Sequence, residues 1–296
     1  MHKPATWVLP VVLGVWSAGA AGCRDLEERV DISYDDRHTA TRLDVYMPAD
    51  APPPGGRPAV MLVHGGGWRS FHRDVNTEQA KRIADAGYVT INIDYRLVPD
   101  GTYPAAVQDV LCALSFTRAH ATEWGIDPAR IAAWGYSAGG HLVSLIGVAP
   151  DLQDHQPDCA SGPTGPPAAV ISGAGPQNMH DLPQVDAVIE FMDGTPEQQP
   201  RHYDAASPVL QVRAGAPPFL LVHGDDDWFV DVDQSTRMRD RLHEVGTEAS
   251  MLEIPGGGHL ANRGPGGRYE FVISSLDTPD AWLAELDFLE RTLGAP

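Results

Sequence analysis

The sequence predicts an α/β protein: a mostly parallel central sheet flanked by helices, with a small cap inserted late in the chain. Three observations carry that prediction. Strand-length runs rich in apolar residues recur at 59–63, 88–93, 130–134 and 218–222, and strands apolar on both faces belong in a parallel sheet covered on both sides. Helix-length segments at 76–86, 103–123 and 232–245 separate them, the alternation expected of α/β architecture. Glycine-rich turns follow three of the strands, at 65–67, 135–139 and 256–258.

Taken in order, residues 29–34 and 41–46 alternate polar with apolar or aromatic side chains and predict two half-exposed strands joined by a turn near Asp35 and Asp36. Residues 48–58 are too rich in proline and glycine for an element interior and form a connection within one domain. Strand 59–63, helix 76–86, strand 88–93, helix 103–123 and strand 130–134 follow, and a further helix starts at Ala138. A strand is expected at 168–171. Residues 173–208 carry Pro176, Pro183, Pro196, Pro200 and Pro208 and are the candidate cap over a pocket. Strand 218–222, helix 232–245 and strand 250–254 resume the sheet. The last helix begins just after Pro279 and is expected to turn Trp282, Leu283, Leu286, Phe288 and Leu289 toward it.

The chain has 296 residues, enough for one sizeable domain, here 29–296. Its net charge of -19, from 40 acidic against 21 basic residues, repels a phosphate backbone and excludes nucleic acid as a partner. That acidity otherwise serves solubility. Residues 1–22 have the layout of a secretory signal: a polar start with Lys3, then an apolar stretch from Trp7 to Ala21 ending in small residues. Export is therefore expected. Ala20-Ala21-Gly22-Cys23 resembles the lipobox of bacterial lipoproteins, with alanine where a larger aliphatic residue is usual. The protein is then either attached to a membrane through lipid on Cys23, with 23–28 as a short tether, or cleaved and released. Cys112 and Cys159 remain, to be read as a disulfide of an oxidising compartment or as buried free thiols. Too few ligands are in sight for a zinc site.

The chemistry starts at Gly135-Tyr136-Ser137-Ala138-Gly139, which lies between a strand and a helix. This is the pattern of a nucleophile elbow, in which glycines flank the serine because a sharp strand-to-helix reversal brings backbone atoms too close for larger side chains. The turn holds the Ser137 hydroxyl at the strand end and aims the Ala138 amide at the space where an acyl oxyanion forms. Upstream, His64-Gly65-Gly66-Gly67-Trp68 follows a strand directly and resembles the HGGG-type oxyanion motif. Gly66 and Gly67 are the candidate amide donors, and His64 is expected to fix the loop. No phosphate loop is present, since Lys-Ser/Thr does not follow the glycines.

A base belongs after the last strand, where Pro255-Gly256-Gly257-Gly258-His259 supplies His259, a group able to take the serine proton and return it to a leaving alkoxide. The orienting acid belongs after the preceding strand, where His223-Gly224-Asp225-Asp226-Asp227 offers three carboxylates. Spacing alone does not choose among them.

Together with Asp94-Tyr95-Arg96-Leu97 and Gly140-His141-Leu142, these motifs resemble the α/β-hydrolase families that include hormone-sensitive-lipase-like esterases and, more closely, bacterial feruloyl and acetyl-xylan esterases. The resemblance covers roughly 34–294. It implies the α/β-hydrolase fold and maps the triad acid onto Asp227, with two residues between it and the His-Gly pair. Two departures stand out: Asp231 replaces the usual proline, and 261–278 intervenes before the last helix, bringing Arg268, Tyr269, Phe271 and Val272.

The reading is a serine esterase with Ser137, Asp227 and His259 catalytic, Gly66, Gly67 and Ala138 as the oxyanion hole, and no metal or organic cofactor. Its substrate is a small-molecule or carbohydrate-linked ester. Trp68, Trp228 and Phe229 are candidate acyl contacts, with Phe191, Met192 and Tyr203 in the cap behind them, and His141 is expected to serve helix packing. Arylformamidase or peptidase-like amide hydrolysis uses the same machinery and is the alternative, as is a catalytically silent binding protein.

Overall fold

The computed structural model describes residues 24–259, 261–263, 269–271 and 278–296. The export signal, Cys23, Arg268, Val272 and the side chains of Tyr269 and Phe271 lie outside the described residues. In chain order the elements are β1 (Leu26–Ser33), β2 (Arg42–Pro48), β3 (Arg57–Val63), α1 (Thr77–Asp85), β4 (Val89–Ile93), α2 (Ala105–Ala119), β5 (Ile126–Tyr136), α3 (Ala138–Val148), β6 (Ala169–Gly173), α4 (Asp186–Met192), α5 (Pro200–Ala205), α6 (Pro208–Gln211), β7 (Phe219–Gly224), α7 (Asp233–Glu244), β8 (Ala249–Ile254), β9 (Ala261–Arg263), β10 (Tyr269–Phe271) and α8 (Pro279–Leu293).

Among the described residues, eight strands form one sheet in the order β1-β2-β4-β3-β5-β6-β7-β8. Neighbours from β4 to β8 run parallel, while β2 is antiparallel to both β1 and β4. The sequence dictates the difference. Every residue of β3 is buried, as a strand covered on both faces requires, whereas no residue of β1 is buried and it carries Glu27, Glu28 and Arg29 along an open edge, charges that discourage edge-to-edge pairing. One face of the sheet packs Val107, Leu111 and Leu114 of α2 and Val143 and Ile146 of α3. The other packs Ile83 of α1 and Phe288 and Leu289 of α8. Between β6 and β7 lies the inserted helical cap: a single 3-10 turn, then α4, α5 and α6.

Three expectations need correction. Leu26 to Glu28, expected in a tether, already belong to β1, because they pair with Pro48, Met47 and Tyr46. β5 is longer than 130–134: Ile126 pairs with Arg57 before a register shift brings Ile131 opposite Ala59. Leu283 is 63% exposed rather than turned to the sheet. At 100° per residue the stripe through Ala281, Glu285, Phe288 and Leu289 leaves position 283 on the opposite side. Glu285 lies in the buried stripe instead, accepting from Trp134 Nε1 at 3.0 Å and Gln79 Nε2 at 3.1 Å.

Cys112 of α2 and Cys159 are joined in a disulfide with a Cα–Cα distance of 6.1 Å, 47 residues apart. A bridge of that span restricts the unfolded chain by about 3 to 4 kcal/mol. The Cys112→Ser, Cys159→Ser double variant is expected to lose that amount in a denaturant titration; an unfolding free energy equal to wild type would show that the bridge contributes nothing.

Candidate active site

The site lies at the carboxyl ends of β3, β5, β7 and β8. Ser137 joins β5 to α3 with φ 54° and ψ -120°, a conformation that an L-residue adopts only under constraint. The constraint is backbone contact. A Cβ on Gly139 would lie 2.0 Å from the Val63 carbonyl oxygen, and one on Gly135 would lie 2.4 Å from the Gly139 backbone. Ser137 N–H donates to the Gly173 carbonyl at 2.8 Å, and its own carbonyl accepts from His141 at 2.9 Å. Strand, turn and helix thus pin the serine from both sides.

Ser137 Oγ is 2.8 Å from His259 Nε2, and His259 Nδ1 is 2.7 Å from Asp227 Oδ2. A carboxylate only accepts, so Nδ1 carries the proton and Nε2 presents its lone pair to the serine. Asp227 Oδ1 accepts from the backbone N–H groups of Phe229 at 3.0 Å and Val230 at 2.9 Å. Burial works to raise the Asp227 pKa, but hydrogen bonds from His223, His259 and the Val230 backbone, with the attraction of His259, hold it well below the usual carboxylate range. Asp227 is buried, whereas Asp225 is exposed and accepts from Gly256 N–H at 2.5 Å. The turn therefore separates the three carboxylates that spacing could not. The His259 ring lies between those of Tyr136 and Phe229, with centroids 5.5 and 5.4 Å away, and the Tyr136 hydroxyl donates to the His259 carbonyl.

Gly66 and Gly67 have φ of 108° and 60°. At Gly66 a Cβ would also strike the Ser70 carbonyl at 2.1 Å. Among the described residues no acceptor takes the amide of Gly66 or Gly67, and the Ala138 amide opens a helix, where N–H groups lack intrahelical partners. His64 fixes this loop: it is buried, stacks on Tyr95 with centroids 4.4 Å apart, and donates from Nδ1 to the Gly65 carbonyl at 2.7 Å. Tyr95 OH in turn donates to the His64 carbonyl at 3.0 Å. Burial lowers the His64 pKa and keeps the ring neutral.

A cavity of about 1060 Å³ opens on the relay, lined by Gly66, Gly67, Ser137, Trp228, Phe229 and His259 among others. Trp228 stands at its mouth with 81% of its surface exposed. Trp68, expected as an acyl contact, is instead 2% exposed and stacks face to face on Phe191 of α4 at 4.4 Å. Its backbone is left-handed, with a φ of 57°, and its ring packs under α4 of the cap. Met192 and Tyr203 are likewise buried in the core. His141 meets the rings of Trp68 and Phe191 edge-on at 5.3 and 5.7 Å and donates from Nε2 to the Ala206 carbonyl at 2.7 Å. Sequence reasoning gave no role to His223 or Tyr136, which both touch the relay. Only the position of His223, four residues before Asp227, hinted at its contact. Among the described residues, no cluster of three or more histidine, cysteine, aspartate or glutamate side chains is arranged to hold a metal ion.

A parallel sheet with a serine–histidine–aspartate relay at its strand ends defines an α/β-hydrolase. The BD-FAE family model matches residues 43–242. The chain belongs to this family of α/β-hydrolase-fold esterases, related to bacterial feruloyl, acetyl-xylan and other carbohydrate esterases. Esterase LipC of Mycobacterium tuberculosis is 32% identical over 250 residues, covering 81% of this chain and 62% of LipC. The propionate-bound thermophilic esterase Est2 of the Planctomycetes species Thermogutta terrifontis is 25% identical with a TM-score of 0.70, covering 94% of this chain and 98% of Est2. A truncated carbohydrate esterase from gut microbiota shares the fold, with a TM-score of 0.74 at 23% identity over 90% of this chain and 96% of that one. The chain spans about three fifths of the curated relatives it matches, 62% of LipC and 56% of the probable carboxylic ester hydrolase LipM.

Burial pushes the His141 imidazole down to about 4, against the opposing pull of the Ala206 carbonyl and with a smaller contribution from His155. The unfolded chain takes up that proton near pH 6.5, so its contribution to stability is complete above that pH and is lost as pH falls from 6.5 toward about 4. The loss is on the order of 3 kcal/mol. His141→Gln is expected to be less stable than wild type at neutral pH, with the gap narrowing steadily on acidification to pH ~4. A gap that stays constant across denaturant titrations at each pH would refute this account.

Proposed function

We propose that the chain is a serine carboxylic ester hydrolase that works through an acyl-enzyme on esters of small or aromatic acids, carbohydrate-linked alcohols among them. The carrying observation is the continuous hydrogen-bonded line from Ser137 Oγ through His259 to Asp227, with distances of 2.8 and 2.7 Å. Ser137 Oγ attacks the acyl carbon as its proton passes to His259 Nε2, and Asp227 stabilises the imidazolium. Amides of Gly66, Gly67 and Ala138 receive the oxyanion, each donor contributing about 3 kcal/mol in the transition state. The tetrahedral species collapses as His259 protonates the leaving alkoxide. Water then enters, gives a proton to His259, attacks the acyl carbon and releases the acid and the serine.

Two observations support the substrate class. Trp228 offers an open aromatic face beside Phe229, on which an aromatic acid or a sugar ring can stack. The related Est2 binds a short acid, propionate. The same reading takes the signal at 1–22 and Cys23 at face value, placing the mature protein beyond an export step and anchored by lipid on Cys23, in keeping with the Cys112–Cys159 bridge. Intact mass of the protein from its native membrane fraction is expected to show diacylglycerol-sized additions; an unmodified mass at Cys23 would remove the anchor and leave the chemistry untouched.

A serine-reactive fluorophosphonate is expected to label the wild type and to leave Ser137→Ala unlabelled and inactive. On a matched panel of acetyl, butyryl, long-chain, feruloyl and formamide substrates, acetyl or feruloyl esters should lead long-chain esters in kcat/KM by at least about tenfold, a transition-state difference near 1.4 kcal/mol. Full activity of Ser137→Ala sinks the mechanism. A formamide preferred by a large factor replaces the ester reading with amide hydrolysis.

A further inference from the structure

His223, the fifth residue of β7, is fully buried against the relay and takes no part in the proton transfers. Its Nε2 is 2.8 Å from the Val230 carbonyl oxygen and 3.4 Å from Asp227 Oδ2, and its Nδ1 is 2.7 Å from Ser235 Oγ. A carbonyl oxygen only accepts, so Nε2 carries a proton. The remaining ring nitrogen then accepts from the Ser235 hydroxyl. A chain of donors therefore runs from Ser235 in the first turn of α7 through His223 to the acid loop.

At its start that loop is tied to the turn carrying His259, by the Asp225 N–H to the Ile254 carbonyl at 3.2 Å and the Asp226 N–H to the Gly257 carbonyl at 2.9 Å. Gly224 follows His223, and a Cβ there would lie 2.1 Å from the Gly257 carbonyl oxygen, so the acid loop and the loop leading to His259 are in backbone contact. Asp227 Oδ1 is taken by the amides of Phe229 and Val230. Oδ2 is left for His259 at 2.7 Å, with the His223 Nε2–H on its flank at 3.4 Å. His223 thereby closes a ring: it holds the Val230 carbonyl while the Val230 amide holds Asp227.

We propose that His223 is a positioning residue that clamps the 227–230 loop and so keeps Asp227 Oδ2 in line with His259 Nδ1. The proposal rests on the acyl-transfer reading of the site. Ser235 acts one step further back, by fixing which His223 nitrogen bears the proton. A residue that shapes the relay without touching substrate acts on kcat and leaves KM alone.

The test uses the wild type, His223→Leu, His223→Gln, Ser235→Ala and the His223→Leu, Ser235→Ala double variant, assayed on p-nitrophenyl acetate. His223→Leu is expected to lower kcat roughly ten- to thirtyfold, through loss of the hydrogen bond to the Val230 carbonyl together with the N–H that faces Asp227, with KM unchanged. His223→Gln, whose side-chain amide restores an N–H donor toward Val230, should recover to within about threefold of wild type. Ser235→Ala should lower kcat by at least about threefold, and adding it to His223→Leu should cost nothing more, as for two members of one chain. The far-downfield proton resonance of His259 Nδ1–H should broaden or move in His223→Leu and return in His223→Gln. A folded His223→Leu with wild-type kcat and an unchanged resonance overturns the proposal. If that variant does not fold, wild-type kcat in Ser235→Ala overturns it instead. A wild type that neither hydrolyses the ester nor takes the fluorophosphonate refutes acyl transfer, while the resonance still tests the clamp.

Discussion

Backbone packing beneath Ser137 is the constraint to which the rest of the site is referred. Val63 at the end of β3 and Gly139 at the start of α3 approach so closely that a Cβ would sit 2.0 Å from a carbonyl oxygen. No side chain can relieve that contact, and no rotamer choice can shift it. The central strands β3 and β5 therefore deliver the glycine loop and the serine at a fixed separation. The positive φ at Ser137 is the cost of that arrangement. It persists because the Gly173 carbonyl and the first turn of α3 hold the residue on either side.

On that fixed point the electrostatics of Asp227 follow from how its charge is hosted. Taking a carboxylate out of water is expensive unless its lone pairs are filled. Here two backbone amides fill one oxygen and two imidazoles face the other. The result is a carboxylate that stays ionised while buried, able to orient a neutral His259 and to stabilise it once protonated. Neighbouring Asp225 does a separate job from the solvent side, holding Gly256 in the turn that carries His259. The three consecutive acidic residues thus divide by burial, and the division is made by the turn.

That division marks where the sequence stops being legible. Parallel strands were readable because burial on both faces leaves an apolar run such as residues 59–63, and the elbow was readable because its glycines are enforced by contact. That Ser137, a downstream carboxylate and His259 would meet at strand ends followed from the order of strands. Which carboxylate would meet them depended on the φ and ψ of a turn, which composition does not encode, and only resemblance selected Asp227. Trp68 was misplaced for a similar reason. Its neighbours in sequence, Gly67 and Arg69, line the cavity, but its own ring is taken up by the stack on Phe191. Leu283 was misplaced by reading hydrophobicity before phase, since the helix buries Glu285 two positions later and leaves the leucine in solvent.

The burial of Trp68 also changes how the cap should be regarded. Trp68 ends the segment that holds Gly66 and Gly67, and it stacks on Phe191 of α4, while Ala187 of the same helix lies where a Cβ on Gly67 would contact it at 3.5 Å. Arg69 and Glu190 add an ion pair at 3.4 Å, but both are near half exposed, so solvent screens it and the aromatic stack carries the contact. The cap is therefore packed onto the glycine loop proposed to hold the oxyanion. A substitution in α4 that alters ring packing would move the amides of Gly66 and Gly67 as well as the pocket wall. On the proposed acyl-transfer reading, specificity and transition-state stabilisation share that interface, and changing acyl preference through α4 carries a cost in rate. Trp228, exposed on the acid loop and meeting Phe229 edge-on at 5.8 Å, is on the proposed reading the position where the pocket rim can change while the glycine loop stays in place.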